Sequence, residues 1–91
     1  MDENRSRLEP EAVAAQFGRA LRRTREAAEL TQERLAELAG VDRVYISEIE
    51  RGLKSPTLRV VAKLAWAMRR APSELLVAAE ELARAAAKWD G

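Results

Sequence analysis

Apolar positions along this chain recur at intervals of three and four residues, which is the spacing of amphipathic helices. Five segments carry this pattern, and Ala, Leu, Glu and Arg, which favour helices, dominate the composition, so the sequence predicts an all-α fold. The predicted helices cover residues 10–28, 32–39, 43–51, 58–69 and 72–89. Residues 1–9 carry charge and almost no apolar side chains, so we expect them to form a flexible tail.

The predicted helix ends are marked by residues with special backbone roles. Pro10 and Pro72 suit the first position of a helix, where no backbone N–H is needed. Gly40 and Gly52 are free to take a positive φ, so each is expected to end the helix before it. The predicted N-caps are Thr31, Asp42 and Thr57.

Composition narrows the function classes. The 91 residues are enough for one hydrophobic core. Cysteine and histidine are absent, which excludes disulfides and removes the commonest metal ligands and the commonest general base. We therefore expect no metal site, no cofactor and no enzyme activity. No apolar run approaches the ~18 residues of a membrane span, and we expect a cytoplasmic protein with no membrane partner.

The net charge of +1 conceals an uneven distribution. Seven cations and two anions lie between Arg43 and Arg70, whereas residues 74–91 contain two cations and four anions. The middle of the chain is therefore suited to meet phosphate, and the C-terminal segment is not.

The third predicted helix must be held by the rest of the protein, because a helix of about nine residues is marginal alone in water. Val41, Ile46 and Ile49 are spaced to form one apolar stripe against a core. The side chains left pointing elsewhere belong to Arg43, Val44, Ser47 and Glu48. Together with the second helix, the segment from Gln32 to Arg51 predicts two short helices crossing steeply at a tight turn.

The segments FGRALRRTRE, LTQERLAELAGVDRVYISEIERG, SPTLRVVAKLA and PSELL occur in the order typical of one family. Over roughly residues 17–76 the chain resembles the phage-repressor and Cro type of helix-turn-helix domain, the Xre-like family. VDRVYISEIERG is most similar to the controller proteins of restriction-modification systems. The resemblance implies a five-helix phage-repressor-like domain over 10–76, and we expect a helical, dimerising extension over 77–91.

The resemblance implies that the third helix enters the DNA major groove with its exposed side chains on base edges. Arg43 can donate to guanine, Val44 can contact a thymine methyl and Ser47 can bond to several bases. Glu48 can accept from cytosine or merely repel phosphate. Outside this pattern, an arginine such as Arg43 is more often a solvated surface cation.

Phosphate contacts are implied for groups that flank the third helix. Gln32 matches a family position whose side chain and backbone N–H meet a phosphate. Tyr45 either contacts the DNA backbone or packs over the second helix. The remaining candidates are Arg51, Lys54, Ser55 and Thr57.

Other charged positions have structural interpretations. The resemblance implies a buried ion pair between Arg25 and Glu50 that joins the first and third helices. Glu29 replaces a glycine that is usual in the family, and Arg69 and Arg70 lie near the position of another, so both helix ends are expected to be strained or differently wound. Ala71 replaces the usual Ser or Thr N-cap of the fifth helix.

The last helix carries a heptad stripe that includes Leu75, Ala79 and Leu82. If the helix projects past the core, this stripe is exposed in a monomer and predicts a homodimer. If it folds back, the stripe is buried on its own domain. The predicted interface anchors are Trp66, Leu76, Leu82 and Trp89.

These observations predict a transcriptional regulator that binds double-stranded DNA at a palindromic operator as a homodimer, with RNA polymerase as a further candidate partner. The alternative is an antitoxin-type interaction module that also binds DNA. No arrangement of side chains at catalytic spacing supports an enzyme.

Overall fold

The computed structural model describes residues 7–87, which form five α-helices and no strand. The helices are α1 (Pro10–Ala27), α2 (Gln32–Ala39), α3 (Arg43–Glu50), α4 (Leu58–Ala67) and α5 (Pro72–Ala87). The prediction of an all-α fold with five helices is confirmed, with α4 two residues shorter than expected. Residues 1–6 of the predicted tail, and Trp89 at the predicted end of α5, lie outside the described residues.

Side-chain caps begin three of the helices where the sequence predicts them. Thr31 Oγ1 accepts from the N–H of Arg34 at 3.0 Å, and Asp42 Oδ1 accepts from that of Val44 at 2.7 Å. Thr57 Oγ1 accepts from the N–H of Val60 at 3.2 Å. Each cap satisfies a backbone N–H that has no partner inside its helix.

The first four helices end alike, with one residue in the left-handed region. Gly40 (φ 68°) and Gly52 (φ 77°) do this without a Cβ penalty, whereas Glu29 and Arg69 (both φ 59°) adopt it as non-glycine residues. In each case the next backbone N–H bonds to the carbonyl five residues earlier, for example Leu53 to Glu48 at 2.8 Å. The helix ends at Glu29 and Arg69 therefore keep the usual helix-ending geometry, although each uses a residue less suited to it than glycine.

The core is shared by all five helices. Each helix contributes a leucine or isoleucine side chain with no exposed surface, and burial of each stabilises the fold by about 1.5–3 kcal/mol. These are Leu21, Leu35, Ile46, Leu64 and Leu75. The short α2 and α3 are therefore held by packing rather than by their own helix propensity.

Helix α5 packs along α1 and does not project from the domain. Leu75 and Ala79 are fully buried, and Leu82 is half-buried against the same core. The expectation that the heptad stripe is exposed is therefore wrong for the residues that the structure describes. Leu82 packs mostly against its own domain. The spacing of apolar residues fits any helical neighbour, and the 18-residue α1 supplies one within the chain.

Candidate nucleic-acid interface

Helix α3 presents a polar face because its apolar face is fixed in the core. Ile46 and Ile49 are buried, so the helix cannot rotate without exposing them. Arg43 and Val44 lie exposed at its first turn, with Val44 53% accessible. Ser47 and Glu48, one turn further on, are partly accessible. The four side chains predicted to meet bases therefore lie on the accessible part of one short helix.

A glycine in α1 determines how closely α3 can approach α1. Gly18 is buried, and a Cβ at this position would overlap the carbonyl oxygen of Ile49 and lie 3.0 Å from that of Glu50. Gly18 was not among the residues singled out from the sequence. The signal was available, because a glycine inside a strongly helical segment costs helix stability and indicates close approach of another backbone.

An ion pair joins α1 to the end of α3. Arg25 Nε lies 2.7 Å from Glu50 Oε2, and Arg25 Nη2 donates to Glu50 Oε1 at 3.0 Å. The third donor, Nη1, bonds to the carbonyl of Leu30 at 2.8 Å. The two side chains are only 11% and 3% exposed. The guanidinium thus ties together α1, the end of α3 and the loop between α1 and α2.

These contacts raise the pKa of Arg25 above its ordinary value. The hydrogen bonds to the Glu50 carboxylate are the largest cause, and the charge of Glu50 adds to them, while burial acts in the opposite direction. A raised pKa on a cation contributes stability at every pH below its ordinary pKa, and this is lost only as pH rises through the raised value. The arginine of this pair is therefore fully charged throughout the neutral range.

The side chain of Gln32 is engaged within the protein. Its Nε2 donates to Glu50 Oε1 at 3.0 Å, and its Oε1 accepts from Arg43 Nη1 at 3.3 Å. The family resemblance implies a phosphate contact for this side chain, and in the structure it lies between the ion pair and the first residue of α3. The backbone N–H groups at the start of α2 remain suited to an anion.

The other phosphate candidates surround α3. Lys54 and Ser55 are exposed in the loop that follows it. Arg51 is exposed and donates from Nε to the carbonyl of Ser47 at 3.4 Å. Thr57 is exposed as well, although its oxygen already caps α4. Tyr45 is half-buried and packs against the core.

Three large apolar side chains are exposed on α4 and α5. Trp66 is 75% exposed, and Leu76 and Val77 in α5 are 40% and 49% exposed. Val77 was not among the predicted interface residues. We call these three residues the α4–α5 patch.

Two negative findings concern residues 7–87. No group of three or more His, Cys, Asp or Glu side chains is arranged to hold a metal ion there. No helix in this described range is both long and apolar enough to cross a bilayer.

Helices α2 and α3 are short and are joined by a tight turn on a five-helix core, and α3 has a polar face. This arrangement defines a helix-turn-helix DNA-binding domain. Residues 16–78 match the family described as "Helix-turn-helix domain", and the chain belongs to that family. The predicted family resemblance is confirmed.

The chain is similar to particular regulators of this type. It is 44% identical to the restriction-modification controller protein C.AhdI from Aeromonas hydrophila, with a TM-score of 0.66 over 68% of this chain and 94% of that chain. It is 32% identical to the clp gene regulator ClgR from Corynebacterium glutamicum, with a TM-score of 0.77 over 86% and 84% of the two chains.

Among curated proteins, the chain is similar to an uncharacterised HTH-type transcriptional regulator of Mycobacterium tuberculosis. The two are 39% identical over 62 residues, which is 68% of this chain. The match covers 44% of that relative's length. The chain therefore spans less than half of that relative's length.

Proposed function

We propose that this protein binds a palindromic DNA operator sequence-specifically as a homodimer, with α3 in the major groove. The observation that carries the proposal is the accessible polar face of α3, held rigid by Ile46 and Ile49 beneath it. Arg43 donates to a guanine edge and Val44 contacts a thymine methyl, while Ser47 and Glu48 discriminate neighbouring bases. Binding through a rigid helix limits the ordering required when DNA is bound.

Affinity for the DNA backbone comes from the groups flanking α3. Arg51, Lys54 and Ser55 lie in one exposed segment beside the helix, and Thr57 follows it. Tyr45 contributes from the side of α3, and the start of α2 offers backbone N–H groups. Contacts of this kind position the protein on the duplex and make binding depend on salt, without reading sequence.

The α4–α5 patch is the proposed dimer interface. A two-fold axis through it would bring Trp66 and Leu76 of one protomer against the same surface of the other. Trp66 is the expected energetic anchor, because large exposed aromatics are enriched at the centres of interfaces. Two recognition helices one DNA turn apart, roughly 34 Å, would then require a palindromic site. Contact with RNA polymerase stays a prediction.

The deciding experiment is selection of binding sites from random double-stranded DNA by the purified protein. The expected result is an enriched motif with two inverted half-sites whose centres are about 10 base pairs apart. Sedimentation of the protein alone should show a dimer. A selection that enriches nothing would refute sequence-specific binding, and a single unpaired half-site would refute the symmetric dimer.

A further inference from the structure

A groove lies between the C-terminal half of α1 and the start of α5. Its volume is about 260 Å³, close to the lower end of the range for pockets that bind small molecules. Its lining combines two cations, one anion, one hydroxyl and two apolar side chains, which are Arg23, Arg70, Glu74, Thr24, Ala27 and Leu75. We propose that the groove binds a small organic acid, whose carboxylate pairs with the two arginines.

Arg23 is the cation in the groove that is available to a ligand. It is exposed, and within residues 7–87 no acceptor or carboxylate is paired with it. Other arginines of α1 are already paired, Arg22 with Glu26 at 3.3 Å and Arg25 with Glu50. The planar guanidinium matches the two oxygens of a carboxylate. An unpaired arginine is ordinary on a protein surface, but this one shares a groove with a second arginine.

The second arginine, Arg70, is held at the groove by Glu74. Arg70 Nη1 lies 3.7 Å from Glu74 Oε2, and Glu74 Oε1 accepts from the N–H of Ala71 at 3.2 Å. A guanidinium has five N–H donors, so this one contact leaves Arg70 able to bind an anion as well. The three ionisable side chains of the lining carry a net charge of +1. One carboxylate neutralises that charge, whereas a doubly charged phosphate would exceed it.

The rest of the lining favours a ligand with an apolar part over a simple ion. Ala27 is exposed in the groove above the buried Leu75, and the methylene stems of the arginines add apolar surface. Thr24 Oγ1 donates to the carbonyl of Ala20 at 2.8 Å, so its hydrogen is not offered to a ligand. Recognition of the anion therefore depends on the two guanidinium groups.

The groove and α3 lie on different sides of α1. Arg25 contacts Glu50 at the end of α3, and Arg23 lies two residues earlier, a rotation of about 200° around the helix. A ligand in the groove would therefore leave the polar face of α3 uncovered. The inference goes beyond the proposed function and does not depend on it.

The test is a titration of the protein with benzoate, followed by the amide signals in proton–nitrogen NMR spectra at constant ionic strength. Benzamide has the same shape without the charge, and acetate has the carboxylate without the ring. Benzoate is expected to shift the signals of the groove residues saturably. Its dissociation constant should be at least about tenfold lower than that of either control, because each control lacks one of the two interactions.

Three variants locate the site. Arg23→Gln should weaken benzoate binding about tenfold, as expected for loss of a charge-assisted hydrogen bond. Arg19→Gln removes the same charge from an exposed position one turn earlier, outside the groove, and should change binding less than about twofold at physiological ionic strength. Ala27→Leu keeps both arginines but fills the groove, and should also weaken binding. All three positions are exposed, and unchanged melting temperatures would verify that the fold is retained.

Equal binding of benzoate and benzamide would overturn the inference. So would equal weakening by Arg19→Gln and Arg23→Gln, which would indicate a diffuse attraction of anions rather than a site. Tighter binding of inorganic phosphate than of benzoate would refute the assignment to a carboxylate, and signal shifts confined to α2 and α3 would refute the location. None of these results bears on whether the protein selects a DNA motif.

Discussion

Gly18 of α1 packs directly against the backbone carbonyl of Ile49 near the end of α3. The same carbonyl accepts from the N–H of Gly52 at 3.0 Å, which helps to close the C-terminus of the proposed recognition helix. A side chain at position 18 would therefore press on the end of α3 and not merely on a flexible neighbour. The contact links a small residue far from the polar face to the placement of that face.

Gly18→Ala is expected to lower the free energy of unfolding by about 1–3 kcal/mol, because the added Cβ overpacks a backbone contact. The direction is diagnostic, since the same change in an open helix interior would raise stability by up to about 1 kcal/mol. Chemical denaturation measures the difference. Arg19→Ala, at the neighbouring exposed position, serves as a control and should be nearly neutral. A stabilised Gly18→Ala variant would contradict the close contact.

Arg25→Ala is expected to destabilise the domain by about 3–5 kcal/mol, because Glu50 would remain buried without its partner. The control is Arg22→Ala, which breaks an exposed pair with Glu26 in the same helix and should cost under about 1 kcal/mol. Thermal unfolding without DNA measures both. Similar melting temperatures for the two variants would show that loss of the buried pair costs no more stability than loss of the exposed pair.

The combined change of Arg25→Met and Glu50→Leu should recover part of the loss seen for Arg25→Ala. Full recovery is not expected, because the carbonyl of Leu30 and the amide of Gln32 each lose a hydrogen-bond partner. Urea denaturation of the single and double variants measures the recovery. A double variant less stable than Arg25→Ala would contradict the prediction.

Glu29→Gly should raise the free energy of unfolding by about 1 kcal/mol, because glycine adopts the left-handed conformation at this helix end without strain. The control is Arg19→Gly at an exposed position inside α1, where glycine should cost about 1 kcal/mol. For a domain of this size the melting temperatures should move by about 4–8 °C per kcal/mol in opposite directions. A shift of the same sign in both variants would contradict the assigned strain.

Arg43→Ala should cost about 1–3 kcal/mol on the selected operator and relax preference at one base pair per half-site. Lys54→Ala should instead weaken all duplexes alike and reduce the salt slope by about one. Affinity titrations at several salt concentrations separate the two. Equal loss on specific and random DNA for Arg43→Ala would refute its role in base contact.

Trp66→Gln should raise the dimer dissociation constant at least about tenfold without changing the fold, as expected for an exposed aromatic anchor. Leu58→Gln is the matched control, since Leu58 is equally exposed at the other end of α4. Sedimentation over a range of concentrations measures the effect. Removing residues 81–91 would be a poor substitute, because Ala83 is buried in the core. An unchanged dissociation constant would exclude the α4–α5 patch as the interface.

The sequence by itself determined where the helices lie and how they begin and end. Thr31, Asp42 and Thr57 act as caps on N–H groups two or three residues away, and Gly40 and Gly52 take the positive φ predicted for them. Such features depend on interactions within one or two helical turns, so the order of residues is sufficient to specify them. The family resemblance followed from the same local patterns.

Only the tertiary structure decided which surfaces meet. A heptad stripe on α5 fits either a second chain or α1, and the packing of Leu75 and Ala79 within the domain selects the latter. The side chain of Gln32 is held by a hydrogen bond to Glu50, which lies 18 residues away in the sequence. Contacts between distant residues depend on how the helices dock against one another, because a periodic pattern specifies a face of a helix and not its partner.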